Sequence, residues 1–227
     1  PVARAPPMRK AAGHNAGTEN RITLLPCPPL LPFGPGGRWN MTDWKPISES
    51  YWVEPGRLLA GEHPGHWDES VVRRRIVGLL DAGVRLFVDL SARGDAVHPY
   101  RAQLEKICRD RGTVAEYLSQ PLREDGVPDD AEDVTYVLRR IQAAIEAGER
   151  VYVHGTDGVG RTGMVVGCWL VERGFDPEAA LEELARRFSA MSKSRVYRST
   201  PANALQAEWV ENWEPRLGLP RQRSQAS

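Results

Sequence analysis

From about Trp44 onward, apolar residues recur with two different periods along the chain. Tyr51 to Ala60 (YWVEPGRLLA) is rich in aromatic and branched residues and is cut by Glu54-Pro55-Gly56, which predicts two short strands about a turn. Gly61-Glu62-His63-Pro64-Gly65 follows as a loop. Between about Trp67 and Asp81, Val71, Val72, Ile76, Leu79 and Leu80 fall at helical spacing and stop at Gly83. Val84 to Leu90 is almost continuously apolar, as suits a strand buried in a parallel sheet. The pattern next predicts a helix from about Tyr100 to Arg111, a strand around Val114 to Ser119 and a longer helix from about Asp129 to Ala147. Val151 to Val171 (VYVHGTDGVGRTGMVVGCWLV) reads as a strand, a tight glycine-rich loop and a helix. Asp176-Pro177-Glu178 opens a further helix ending near Ala190, and a last helix spans about Pro201 to Trp213. Strands and helices in this alternation predict an α/β domain, a mostly parallel central sheet flanked by helices. Ligands of such sheets sit at the carboxyl ends of the strands, where the Gly155 to Arg161 loop lies.

The ends of the chain differ from this middle. Prolines at 1, 6, 7, 26, 28, 29, 32 and 35 break any periodic apolar face, so residues 1–40 are expected to be a disordered or loosely extended Pro/Gly-rich extension. Ile22 to Phe33 is too short and too interrupted by proline for a membrane span. Met41 is a candidate start of the functional protein. The expected organisation is an extension over 1–40, a domain over 44–213 and a basic polar tail over 214–227.

With 41% hydrophobic residues in 227, the chain can build one full-sized core. Thirty basic and thirty acidic residues cancel. That balance argues against nucleic acid or a membrane surface as partner and makes any anion recognition local. Cys27, Cys108 and Cys168 lack metal-ligand spacing, which points to no metal and to a reducing, cytoplasmic location. Cys168 lies within the apolar helix and reads as a small core residue.

The chemistry concentrates in one loop. Gly155, Gly158, Gly160 and Gly163 allow the backbone of Thr156, Asp157, Gly158, Val159 and Gly160 to turn its amides toward one point, at a helix N-terminus that favours negative charge. Arg161 adds a planar fork of donors. The reading is a pocket for a phosphate-like dianion. Gly158-x-Gly160-x-x-Gly163 matches a dinucleotide fingerprint, but no acidic residue about 20 positions on closes a second strand, as ribose recognition needs. Gly155-x-x-x-x-Gly160-Arg161-Thr162 matches a nucleotide P-loop with arginine in place of lysine, with Leu86-Phe87-Val88-Asp89 as a potential metal-binding strand upstream.

The run His154-Gly155-Thr156-Asp157-Gly158-Val159-Gly160-Arg161-Thr162-Gly163 resembles the signature loop of the cysteine-dependent protein tyrosine and dual-specificity phosphatases, His-Cys-five residues-Arg-Ser/Thr-Gly, with Gly155 in place of the nucleophilic cysteine. Trp52 to Gly65 and Phe87-Val88-Asp89-Leu90 are similar to segments of the small bacterial members, as are Pro121-Leu122-Arg123-Glu124-Asp125-Gly126-Val127-Pro128 and Thr200-Pro201 with Gln206. The resemblance implies that Arg161 and the loop amides hold the phosphoryl oxygens, that Thr162 assists the nucleophile and that His154 braces the loop. Glu124 or Asp125 would protonate the leaving group. The implied ligand is a phosphorylated protein or a small phosphate ester, with no cofactor. Because glycine cannot attack phosphorus, the implied protein binds phosphate monoesters with little or no hydrolysis, as a natural pseudophosphatase or an inactivated form of an active enzyme. A non-enzymatic phospho-reading module and a P-loop nucleotide binder are the alternatives. Asp157, on the rim, would repel a dianion unless it points outward or pairs with a cation.

Overall fold

Five strands, β1 (Ser50–Glu54), β2 (Leu58–Gly61), β3 (Val84–Asp89), β4 (Glu116–Ser119) and β5 (Arg150–His154), form one sheet in the computed structural model, which describes residues 45–219. Their order is β1-β2-β5-β3-β4. The β1–β2 pair is antiparallel, and the other pairings are parallel. Six α-helices surround the sheet: α1 (Glu69–Asp81), α2 (Arg101–Arg111), α3 (Ala131–Glu146), α4 (Gly160–Glu172), α5 (Pro177–Phe188) and α6 (Ala204–Glu211). The expectations for residues 1–40, Met41, Cys27, a beginning at Trp44 and the end of the tail lie outside the described residues. None of the described helices is long and apolar enough to cross a membrane.

Side-chain alternation explains the layers. Leu58, Ala60, Leu86, Val88, Val151 and Val153 face a core built with Val134, Leu138, Val165, Trp169, Leu184 and Val210 of α3 to α6. Leu59, Phe87 and Tyr152 face the opposite way, against Val72, Ile76 and Leu79 of α1 and Leu104 and Ile107 of α2. Both faces are covered, so β3 and β5 read as nearly unbroken apolar runs.

Three helix starts, those of α1, α3 and α6, follow capping side chains more closely than hydrophobic spacing. Asp68 accepts the Ser70 amide, so α1 begins at Glu69 rather than Trp67. Asp130 caps α3 in the same way, and Asn203 caps α6, which starts at Ala204 rather than Pro201. Val114 is exposed and lies outside β4, which begins at Glu116. A 3-10 turn at Ser192–Arg195, absent from the expected elements, links α5 to the segment leading into α6.

The parallel register carries the loops to one place. Gly61 pairs with His154, His154 with Asp89, and Asp89 with Ser119. The carboxyl ends of β2, β5, β3 and β4 are thus level, with β5 and its glycine-rich loop between β2 and β3. Behind that loop α4 is crossed closely by α6. A Cβ at Gly167 would lie 2.7 and 2.8 Å from the two methyl carbons of Val210, which is fully buried and stiff about its side-chain bond. Gly167→Ala is therefore expected to lower stability by about 1–3 kcal/mol. The urea unfolding midpoint checks this, and an unchanged midpoint would mean that the two helices can separate freely.

Candidate functional site

The loop from Gly155 to Val159 joins β5 to α4. Among the described residues, none of the backbone amides of Thr156, Asp157, Gly158, Val159, Gly160 and Arg161 donates to a protein acceptor. Such a run of free donors at a helix N-terminus is suited to an anion. Gly158 alone in the loop needs a left-handed backbone, with φ 76°, and its Cβ would lie 2.4 Å from the Gly61 carbonyl carbon. The glycines at 158, 160 and 163 thus serve close approach to the protein's own Gly61, Gln206 and Thr200. The Gly155 amide donates to Thr162 Oγ1 at 2.7 Å. A Cβ at Gly155 would meet Thr162 Oγ1 at 3.3 Å and Arg161 Nε at 3.5 Å, so position 155 faces the arginine and the hydroxyl.

Arg161 is 3% exposed, and its guanidinium is held from several sides. Nη1 donates to the Leu90 and Leu122 carbonyls at 3.3 and 3.2 Å, and Nη2 donates to Thr156 Oγ1 at 2.7 Å. Asp95, on the loop after β3, places Oδ2 2.7 Å from Nη1. Glu124 Oε1 lies 3.7 Å from Nη2 on a half-exposed side chain. Of the two acidic candidates, only Glu124 comes to the arginine. The Asp125 side chain is exposed, and its carbonyl accepts from Asn203 Nδ2 at 3.3 Å. Gln206 Nε2 donates to the Glu124 and Gly126 carbonyls at 2.9 and 3.2 Å and so fixes the acidic loop to α6.

Under the loop lies a buried network. A carbonyl can only accept, so His154 Nδ1, 3.2 Å from the Gly155 carbonyl, carries a proton, and Nε2 accepts from the Tyr100 hydroxyl at 2.8 Å. Burial pushes the His154 pKa down from 6.5 to about 4, and Asp89, 3.8 Å away, does not offset it. Burial alone would raise the Asp89 pKa, but His63, His154, Ser91 and Tyr117 hold it well below the usual carboxylate range. His63 accepts the Gly65 amide on Nδ1 and therefore turns a protonated Nε2 toward Asp89, 3.6 Å away. His63, Asp89 and His154 converge closely enough to be weighed as metal ligands, yet both rings point an N–H, not a lone pair, at the shared space. His63 and Tyr100 are 5% and 1% exposed and belong to this network.

Asp157 turns away from the cradle. Its carboxylate accepts from Tyr197 at 2.9 Å and lies 3.7 Å from Lys193 Nζ, which also pairs with Glu62 at 2.8 Å. Thr200 Oγ1 donates to the Val159 carbonyl at 2.9 Å. Arg75 also pairs with Glu62, at 2.6 Å. Sequence reasoning missed Asp95, Lys193 and Tyr197. For Asp95 the available signal was its place just beyond the carboxyl end of a central strand.

A parallel sheet ending in an amide-lined loop, with a buried arginine at its far side, defines the architecture of the cysteine-dependent phosphatases. A family model described as PTP-SAK, Swiss Army Knife protein, DSP-PTPase phosphatase domain, matches residues 48–213, and the chain belongs to this family. The 067L protein of Invertebrate iridescent virus 3, a tyrosine phosphatase by name, is 25% identical over 161 residues, 69% of this chain and 56% of the viral protein. This chain thus spans little more than half of that relative's length. Among solved structures, the human tyrosine phosphatase-like serine/threonine/tyrosine-interacting protein superposes with a TM-score of 0.55 at 17% identity, covering 74% of this chain and 96% of its own. Tk-PTP in its active form superposes with a TM-score of 0.52 at 20% identity, covering 73% and 95%. At these identities the structures establish a shared fold.

A pH dependence of stability follows from His154. Its folded pKa of about 4 lies below the unfolded value of 6.5, so the unfolded chain binds the proton more readily between the two. The stability is fully present above about pH 6.5 and falls by roughly 3 kcal/mol as pH drops toward 4. In His154→Gln the decline of the urea midpoint over this window is expected to flatten. An unchanged slope would mean that other groups carry it.

Proposed function

We propose that this domain binds phosphate monoesters, on a phosphorylated protein or a small ester, through the amides of Thr156 to Arg161 and the Arg161 guanidinium. Hydrolysis is lost or nearly so because residue 155 is glycine. The observation that supports this most is the run of backbone amides that find no acceptor among the described residues, beside a buried arginine. In the roles implied by the family, Nε and Nη2 of Arg161 take two phosphoryl oxygens, and the loop amides take the rest. Glu124, rather than Asp125, is the proposed proton donor, supported by its approach to the arginine at 3.7 Å. Thr162 and the Arg161 Nε surround the place a residue-155 nucleophile would occupy. Without that nucleophile no phospho-enzyme can form.

A non-enzymatic phospho-reading role shares the same binding site and is favoured by Gly155 itself, since loss of the thiolate removes a negative charge that would oppose the incoming dianion. The P-loop nucleotide reading has less support. Asp89 is committed to Ser91, Tyr117 and His63, and arginine stands where that motif has lysine.

Arg161→Ala is expected to weaken tungstate binding by more than about tenfold, read by calorimetry. Gly155→Cys is expected to raise aryl phosphate hydrolysis at least ~100-fold over the parent chain. If the folded cysteine variant binds tungstate but stays inert, the catalytic half of the proposal is wrong. If the parent chain binds no oxyanion, the binding half is wrong.

A further inference from the structure

Asp95 reaches the signature loop from the segment after β3 and brings one oxygen, Oδ2, to three donors. They are Arg161 Nη1 at 2.7 Å, the Ala92 amide at 2.9 Å and Thr156 Oγ1 at 3.1 Å. Its side chain is 8% exposed. Burial alone would raise its pKa, but the Ala92 amide, Arg161 and Thr156 outweigh burial and keep the carboxylate ionised. A guanidinium, an amide and a hydroxyl are also the groups that would receive a phosphoryl oxygen.

Arg161 has holds other than Asp95. The Leu90 and Leu122 carbonyls hold Nη1, and Thr156 holds Nη2. What Asp95 adds to these neutral acceptors is a full negative charge. Of the other carboxylates on the loops around the arginine, Glu124 is half exposed to solvent, and Asp157 is turned to Lys193 and Tyr197. Asp95 is the one whose side chain is largely covered against the arginine.

Building on the phosphate-site reading above, we propose that Asp95 is an internal counter-ion that sets how much negative charge the cradle accepts. A ligand held by Arg161 shares the guanidinium with this carboxylate, and the repulsion between them is twice as large for a dianion as for a monoanion. Asp95 thus narrows the preference for a phosphate monoester over a sulfate monoester of the same shape.

The test is calorimetric titration of the full chain and of Asp95→Asn with a phosphotyrosyl peptide and the same peptide sulfated, at about pH 7.5, where phosphate is mostly dianionic and sulfate monoanionic. Removing the charge is expected to tighten the phosphorylated peptide about tenfold and the sulfated one about threefold. Asp95→Ser serves as a second uncharged replacement, with thermal unfolding checking that each variant folds. Unchanged or weaker phosphopeptide binding, or an equal gain for both peptides, overturns the role of Asp95 while leaving the phosphate site standing. If neither the parent nor the variants bind either peptide or inorganic phosphate, the phosphate-site reading falls and takes this proposal with it.

Discussion

Backbone N–H groups gathered at the start of a helix carry partial positive charge, and a buried guanidinium beside them carries a whole one. In this domain the amides from Thr156 to Arg161 find no acceptor among the described protein groups, and Arg161 is buried among backbone carbonyls. Much of the surrounding structure maintains that concentration of donors. The level carboxyl ends of β2, β5 and β3 set the height of the loop. His154 fixes it from below through the Gly155 carbonyl, and Thr200 from the side through the Val159 carbonyl.

Charge is handled in layers around this centre. Asp89 is buried but surrounded by donors, so it stays ionised while His154 stays neutral. Asp157, the residue most at odds with an anion pocket, is drawn outward by Lys193 and Tyr197. Asp95 and Glu124 address the same guanidinium, one buried and one half exposed. The site is less positive than its single arginine and free amides suggest, although the chain as a whole is formally neutral.

The central strands and most helices were legible because their apolar periods are set by burial on known faces: Leu86, Phe87 and Val88 alternate between two cores, as a doubly covered strand must. Helix starts were less legible, since Asp68 and Asn203 decide them by single hydrogen bonds that hydrophobic spacing does not register. In the site, Arg161, Thr162 and His154 share a contiguous motif and could be placed together from sequence. Asp95, Lys193 and Tyr197 arrive from loops distant in the chain, and only three-dimensional folding brings them to Thr156 and Asp157. Which of Glu124 and Asp125 comes near Arg161 likewise depends on which way one loop faces, and that loop's carbonyls accept from Gln206 and Asn203.

The central claim concerns convergence, and crystallography of the chain soaked in tungstate addresses it most directly. The account predicts one oxyanion whose oxygens accept from the amides between Thr156 and Arg161 and from Nε and Nη2 of Arg161. Tungstate bound elsewhere with those amides splayed apart, or an arginine turned away from the ion, would contradict it.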